Sequence, residues 1–204
     1  MFELFVVGLQ FLSGSIMYAH ILAKINGIDL RKVRDGNPGS SNLWRAKGLK
    51  WGALALALDY FKGTFPLFLF IWLGKVSNEY VVAFAAFAGV AGHAFSPTLK
   101  FKGGKAVATS FGAWSVLTKW EAPTILGTTF ALFSLLKRRT TVEEDAFRVL
   151  LGFLVLFFYV LYRTMNRDFH ILFFYLANFI VITIKHGKDW YRFFTNRRKV
   201  HHNV

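Results

Sequence analysis

The sequence predicts an all-α protein, a polytopic transmembrane helix bundle of about seven spans, with the N-terminus outside and the C-terminus cytoplasmic. Three observations predict it. Hydrophobic residues make up 54% of the 204 residues and mean hydropathy is +0.40, above the range of soluble domains. Long apolar runs without a formal charge recur along the chain. The net charge of +14 lies mostly between those runs. A soluble nucleic-acid binder would carry such charge on a less apolar body, so no nucleic-acid partner is expected. The chain has no cysteine, which excludes disulfides and thiolate metal sites.

A spanning helix needs about 20 mostly apolar residues to cross about 30 Å of hydrocarbon. Leu4–Ala23 meets this with no Asp, Glu, Lys or Arg. It follows neither a basic n-region nor a small-residue cleavage site, so it reads as a retained span. Trp51–Gly74 is long enough but holds Asp59 and Lys62. Tyr80–Leu99 is again free of formal charge. Ala106–Thr118 and Ala122–Leu136 are shorter and are separated only by Lys119-Trp120-Glu121. They read as two spans or as one re-entrant hairpin, a choice between seven and five that leaves parity unchanged. Val149–Tyr162 and Phe169–Ile184 gain length from flanking aromatics. No repeat, low-complexity segment or long linker divides the chain, so 1–204 reads as one unit.

Parity turns the charge rule into a test. With the N-terminus outside, segments 24–50, 98–105, 137–145 and 185–204 face inward and carry 19 of the 25 Lys and Arg residues. The outer loops carry four, Lys75, Lys119, Arg163 and Arg167, while Lys62 and Arg148 fall within spans. That asymmetry places the basic loops on the cytoplasmic side. The tail Arg197–Val204 is polar and suited to anionic headgroups.

Two of those inner loops combine backbone freedom with fixed positive charge. In Asp35-Gly-Asn-Pro-Gly-Ser-Ser-Asn-Leu-Trp-Arg45, Pro38 removes a donor and the glycines favour turn geometry. Ser40, Ser41 and Asn42 follow, with Ser or Asn able to cap a helix through Trp44 and Arg45. A helix N-terminus beside a glycine turn attracts anions, and Arg45 adds a guanidinium. The plain alternative is an interhelical turn with an N-cap. Phe101-Lys-Gly-Gly-Lys105 has the parts of a phosphate loop without Walker spacing. Gly103 and Gly104 would admit an anion, Lys105 supplies a point charge, and Thr109 lies one helical turn on. Its plain alternative is a basic stop that satisfies the charge rule.

Histidines His20, His93 and His186 sit at inner span ends and His170 at an outer one. Each taken singly suits an interfacial anchor. Together the inner three supply a possible base or phosphate donor, His186 foremost because Asp189 and Arg192 follow at helical spacing. Asp59 and Lys62 share a helix face inside a span and are expected to pair. Glu143-Glu144-Asp145 reads as helix-entry acids. No H-x-x-x-x-D follows His20, His93 or His186, and neither a G-x-S-x-G elbow nor a metal-ligand cluster occurs. An enzyme of this kind would work by positioning and electrostatic stabilisation rather than covalent catalysis.

Taken in order, these stretches resemble the bacterial acyl-phosphate-dependent glycerol-3-phosphate acyltransferases, the PlsY family. Gly14-Ser-Ile16, Ala23-Lys24 and Asp29-Leu-Arg31 come first. Gly36-Asn37-x-Gly39-x-Ser41-Asn42-x-x-Arg45 and Asp59-x-x-Lys62-Gly63 follow. Then come Gly92-His93-x-Phe95, Phe101-Lys-Gly-Gly-Lys-x-Val-Ala-Thr109 and His186-x-x-Asp189-x-x-Arg192. The resemblance implies acyl transfer from acyl phosphate to the 1-hydroxyl of glycerol 3-phosphate, giving lysophosphatidate for phospholipid synthesis. The substrate's own phosphate would help to accept the proton, and no cofactor or metal would be needed. It implies a multi-pass protein of the bacterial inner membrane with its site on the cytoplasmic face. Lys105, Arg45 and His186 would be catalytic. Asn37, Gly39, Ser41, Asn42, Gly103, Gly104, Thr141 and Asp189 would bind substrate phosphate.

The chain departs from the family pattern in three places. Arg34-Asp35 stands where Gly-Ser is usual, Asp189 replaces an Asn, and Thr141 would stand in for a Ser. Asp35 and Asp189 would repel an anionic substrate unless Arg34, Arg45 or Lys188 neutralises them. Two readings from other classes stay open at this point: a transporter or channel for a phosphate-type anion, and a non-catalytic bundle that binds anionic lipid.

Overall fold

The computed structural model describes residues 1–137 and 140–201. Arg138, Arg139 and the end of the basic tail, His202 to Val204, lie outside the described residues. The described chain is helical, without a strand. Its helices are α1 (Phe2–Ser15), α2 (Tyr18–Ile25), α3 (Ser40–Lys47), α4 (Leu49–Trp72), α5 (Glu79–Ala94), α6 (Val107–Thr118), α7 (Glu121–Leu136), α8 (Val142–Met165) and α9 (Phe169–His201). Short 3-10 turns at Leu30–Lys32 and Pro97–Leu99 lie in the two loops of interest.

Among the described residues, five segments are long and apolar enough to cross a membrane: Phe2–Ile25, Leu49–Trp72, Glu79–Leu99, Val142–Met165 and Phe169–Thr195. The pair expected at 106–136 is two separate helices of 12 and 16 residues, about 18 and 24 Å at 1.5 Å per residue. By length, then, five helices qualify rather than seven. The break falls at Lys119, in left-handed backbone at φ 55°. The last two spans exceed their apolar cores. α8 starts seven residues before Val149, on a capping box in which Thr141 and Glu144 satisfy each other's backbone amides.

The first span is interrupted at Ile16-Met17, directly after Gly14-Ser15. The carbonyls freed there are satisfied from elsewhere. The Lys62 ammonium donates to Ile16 O at 2.5 Å, and the Ser96 hydroxyl to Ser15 O at 2.6 Å. Lys62 also pairs with Asp59 at 2.9 Å, both buried, as expected of charges inside a span.

Small residues bring the inner helices together. A Cβ at Gly14 or Gly92 would run into the backbone of the facing helix across α1 and α5. Gly63 and Gly112 make the same close approach across α4 and α6. Gly52 gives α3 its seat on α4, against Trp44. α5 occupies the centre, with Ala83, Ala85, Ala86, Gly89 and Ala94 buried. Large apolar side chains such as Phe61, Phe65, Leu135 and Phe158 are exposed, as expected where the surrounding phase is hydrocarbon.

Candidate active site

The loop before α3 turns through left-handed backbone at Arg34 (φ 52°) and Gly36 (φ 71°). Buried Asn42 stitches it shut, its amide donating to Val33 O at 3.0 Å, Asp35 Oδ1 at 2.7 Å and Asn37 O at 3.0 Å. The Asn37 backbone N–H donates to the same Asp35 oxygen at 3.3 Å. The expected Ser or Asn cap is not the one used. Gly39 is the N-cap of α3 and no side chain caps it.

The second loop runs between two elements it cannot part from. Gly104 N–H donates to His93 O at 3.2 Å, and a side chain at Gly103 or Gly104 would collide with His93. Both glycines are therefore required by packing on the end of α5, and neither lines the cavity described next. His93 is in turn held by Thr109, whose hydroxyl lies 3.2 Å from Nδ1 and donates to Asp59 O at 3.0 Å.

The loops meet over a cavity of about 520 Å³. Its polar wall includes Arg34, Asp35, Ser41, Lys105, Asp145, Arg148 and His186, with Asn37, Gly39 and Asn42 at the first loop. Leu56, Tyr60, Phe111, Phe130 and Val149 form an apolar wall. The Lys105 ammonium bridges Asp35 at 2.8 Å and Asp189 at 2.7 Å. Lys105, rather than Arg34, Arg45 or Lys188, thus neutralises the two unexpected carboxylates. Burial opposes the charged form of Asp35. Lys105, Asn42 and the Asn37 N–H together outweigh it and hold the carboxyl below its ordinary 3.8.

Asp145 gathers three guanidinium groups: Arg34 at 2.6 Å, Arg45 at 3.2 Å and Arg148 at 3.3 Å, with the Thr140 hydroxyl donating at 2.8 Å. Four cations therefore face three carboxylates here, counting Lys105 with Asp35 and Asp189. His186 is buried against the cavity, and neither ring nitrogen has a hydrogen-bond partner among the described residues. Its ring stacks on Trp190 at 6.0 Å, and Trp190 is anchored by donating to Ala146 O at 2.7 Å. A buried imidazole with both nitrogens unsatisfied is costly unless something else occupies them.

Among the residues expected at a site, Asn37, Gly39, Ser41, Asn42, Lys105 and His186 line this cavity. Arg45 and Asp189 reach it through Asp145 and Lys105. Thr141 does not, because its hydroxyl accepts from Glu144 N–H at 3.2 Å as the α8 cap. Asp145 and Arg148 escaped sequence reasoning, although their i,i+3 spacing places them on one helix face.

The family model described as glycerol-3-phosphate acyltransferase matches residues 4–196. The chain belongs to that family. A Thermotoga maritima member, glycerol-3-phosphate acyltransferase 1, is 57% identical over 199 residues, covering 95% of this chain and 98% of its own. A Thermosipho melanesiensis member is 31% identical over 84% of this chain and 80% of its own. Crystal structures of PlsY (YgiH), an integral membrane glycerol 3-phosphate acyltransferase, superpose on this family member as well. The glycerol 3-phosphate form is 29% identical at a TM-score of 0.81, covering 97% of this chain and 94% of that one. The lysophosphatidic acid form is 28% identical at 0.79 over the same shares.

Proposed function

We propose that this protein transfers a fatty acyl group from acyl phosphate to the 1-hydroxyl of glycerol 3-phosphate, giving lysophosphatidate and inorganic phosphate. The observation that carries the reading is a single cavity with two unlike walls. Buried His186 and half-buried Lys105 face it on one side, aromatic and aliphatic side chains on the other. The apolar wall suits the acyl chain and the cationic wall suits two phosphate groups. Asp145, which draws in three arginines, keeps those guanidinium groups gathered at the cavity before any substrate arrives.

In this scheme the acceptor hydroxyl oxygen attacks the acyl carbon, and the bond from that carbon to the phosphate oxygen breaks. Lys105 and the arginines stabilise charge on the departing phosphate, with Arg45 acting from the rim. His186 hydrogen-bonds substrate oxygen through a nitrogen that has no partner among the described residues, and so orients the acceptor. The hydroxyl proton passes to phosphate oxygen of the substrate itself. Asn37, Gly39, Ser41 and Asn42 shape the acceptor side. Gly103 and Gly104 act by holding Lys105 in place, and Asp189 by orienting its ammonium. We assign this site to the cytoplasmic face, on the charge asymmetry of the loops.

The test is direct. Purified protein given palmitoyl phosphate and glycerol 3-phosphate should release phosphate and form lysophosphatidate, while palmitoyl-CoA should not replace the donor. Absence of phosphate release refutes the reading.

A further inference from the structure

The loop that carries Lys105 is built against local preference. Lys100, Phe101 and Ala106 all sit in left-handed backbone, at φ 53°, 62° and 59°. None is a glycine, and residues so placed persist only when their surroundings hold them. From α5 the hold is the His93 carbonyl, which takes Gly104 N–H at 3.2 Å. From α9 the hold is Lys185, whose ammonium donates to Gly103 O at 3.1 Å. The same ammonium lies 5.1 Å from the centre of the Phe95 ring, at the end of α5. Gly103 is buried, so its carbonyl would otherwise lose water without replacement. One turn further along α9, Asp189 grips Lys105 itself at 2.7 Å. Between those two attachments lies His186, which faces the cavity.

Lys185 is not among the residues that line the cavity. Its charge is directed at the backbone of the loop. We propose that Lys185 is a positioning residue: it clamps the Gly103 carbonyl and thereby fixes the Lys105 ammonium and the His186 imidazole in one frame. α9 then places both groups together, so a shift of the loop relative to α9 separates the phosphate-binding cation from the imidazole. The role of Lys105 toward phosphate is the one given under the proposed function, and this inference rests on it.

The test compares detergent-purified wild type with Lys185→Met, which keeps the stem and loses the ammonium, and Lys185→Arg, which keeps a donor. Hydrogen exchange is followed by mass spectrometry on peptides covering 100–108, beside kcat/KM for acyl transfer. In Lys185→Met, exchange at 103–106 should quicken about tenfold while the helices exchange as in wild type. The same variant should lose about 10- to 100-fold in kcat/KM, the scale of a displacement of about 1 Å in a catalytic group. Lys185→Arg should recover most of both. Unchanged exchange in the loop overturns the proposal. So does a loosened loop with wild-type turnover, or faster exchange spread through all the helices. A wild-type protein with no acyl transfer would refute the proposed function instead, and the exchange comparison would still decide whether Lys185 holds the loop.

Discussion

Replacing Asp35 by Asn should tighten, not weaken, the binding of glycerol 3-phosphate. Asp35 lines the cavity and holds Lys105 at 2.8 Å, so the carboxylate occupies the partner that a substrate phosphate needs. An Asn keeps the acceptor oxygen used by Asn42 and by the Asn37 N–H, and Asp189 still secures Lys105. The change therefore removes one negative charge with little rearrangement. A phosphate dianion on Lys105 would lie about 5 Å from that carboxylate, a repulsion of about 1.7 kcal/mol even at the dielectric of bulk water. Removing it corresponds to a KM lower by about 15-fold at low salt. At 0.1 M salt, screening over about 5 Å reduces the effect to about 1 kcal/mol, or about fivefold. Initial rates against glycerol 3-phosphate at both salt concentrations measure it. A KM that is unchanged or higher in the variant at both would refute the reasoning, and would make Asp35 a support for Lys105.

Further expectations follow from the same geometry. The carboxyl of Asp35 is held below 3.8, so its stabilising contribution is complete above that value and is lost as pH falls through its lower folded value. Wild type and Asp35→Asn should accordingly differ in thermal stability by a constant amount between pH 5 and 8 and converge in stronger acid, as followed by thermal melts. Lys105→Ala should lower kcat by about 10²- to 10³-fold, the cost of removing one charge-stabilising donor, read by phosphate release. Thr141→Ala should cost about 1 kcal/mol through the lost helix cap while KM for glycerol 3-phosphate stays at the wild-type value. A raised KM would place Thr141 in substrate binding after all. Gly104→Ala drives a methyl group into His93 and should cost about 1–3 kcal/mol in stability together with most of the activity, seen in melts and initial rates.

The sequence made the greasy helices and the two basic loops legible because hydrophobic run length and glycine-cation clusters are local signals. Lys105, His186, Asn37, Gly39, Ser41 and Asn42 line one cavity. The reasons behind some of those letters were not local. Gly103 and Gly104 look like an anion loop, yet their bare backbone is needed where the chain crosses His93. Asp145 looked like one of three helix-entry acids. Only the approach of residues 34–45 to 140–148 shows that it collects three arginines. The interruption of the first span at Ile16-Met17 follows Gly14-Ser15, but what permits it is a pair of donors that no local signal reveals, Lys62 on α4 and Ser96 just beyond α5. The departures at Asp35 and Asp189 were visible one at a time. That both end on the same ammonium is a property of the fold.

The glycine contacts that join α1 to α5 and α4 to α6 divide the protein by how freely it can change. Where backbones touch, no side chain is left to adjust, and almost any replacement forces helices apart. Lys105, between α5 and α6, stands on that inflexible half. The opposite wall is different in kind: Phe111 and Phe130 meet edge to face at 5.6 Å, and side-chain contacts of this sort can be exchanged for others of similar volume. A lineage adapting to a new membrane would therefore find its first tolerated changes on the aromatic wall, with Phe130 the constrained member, because the Arg148 guanidinium lies 5.4 Å from its ring centre.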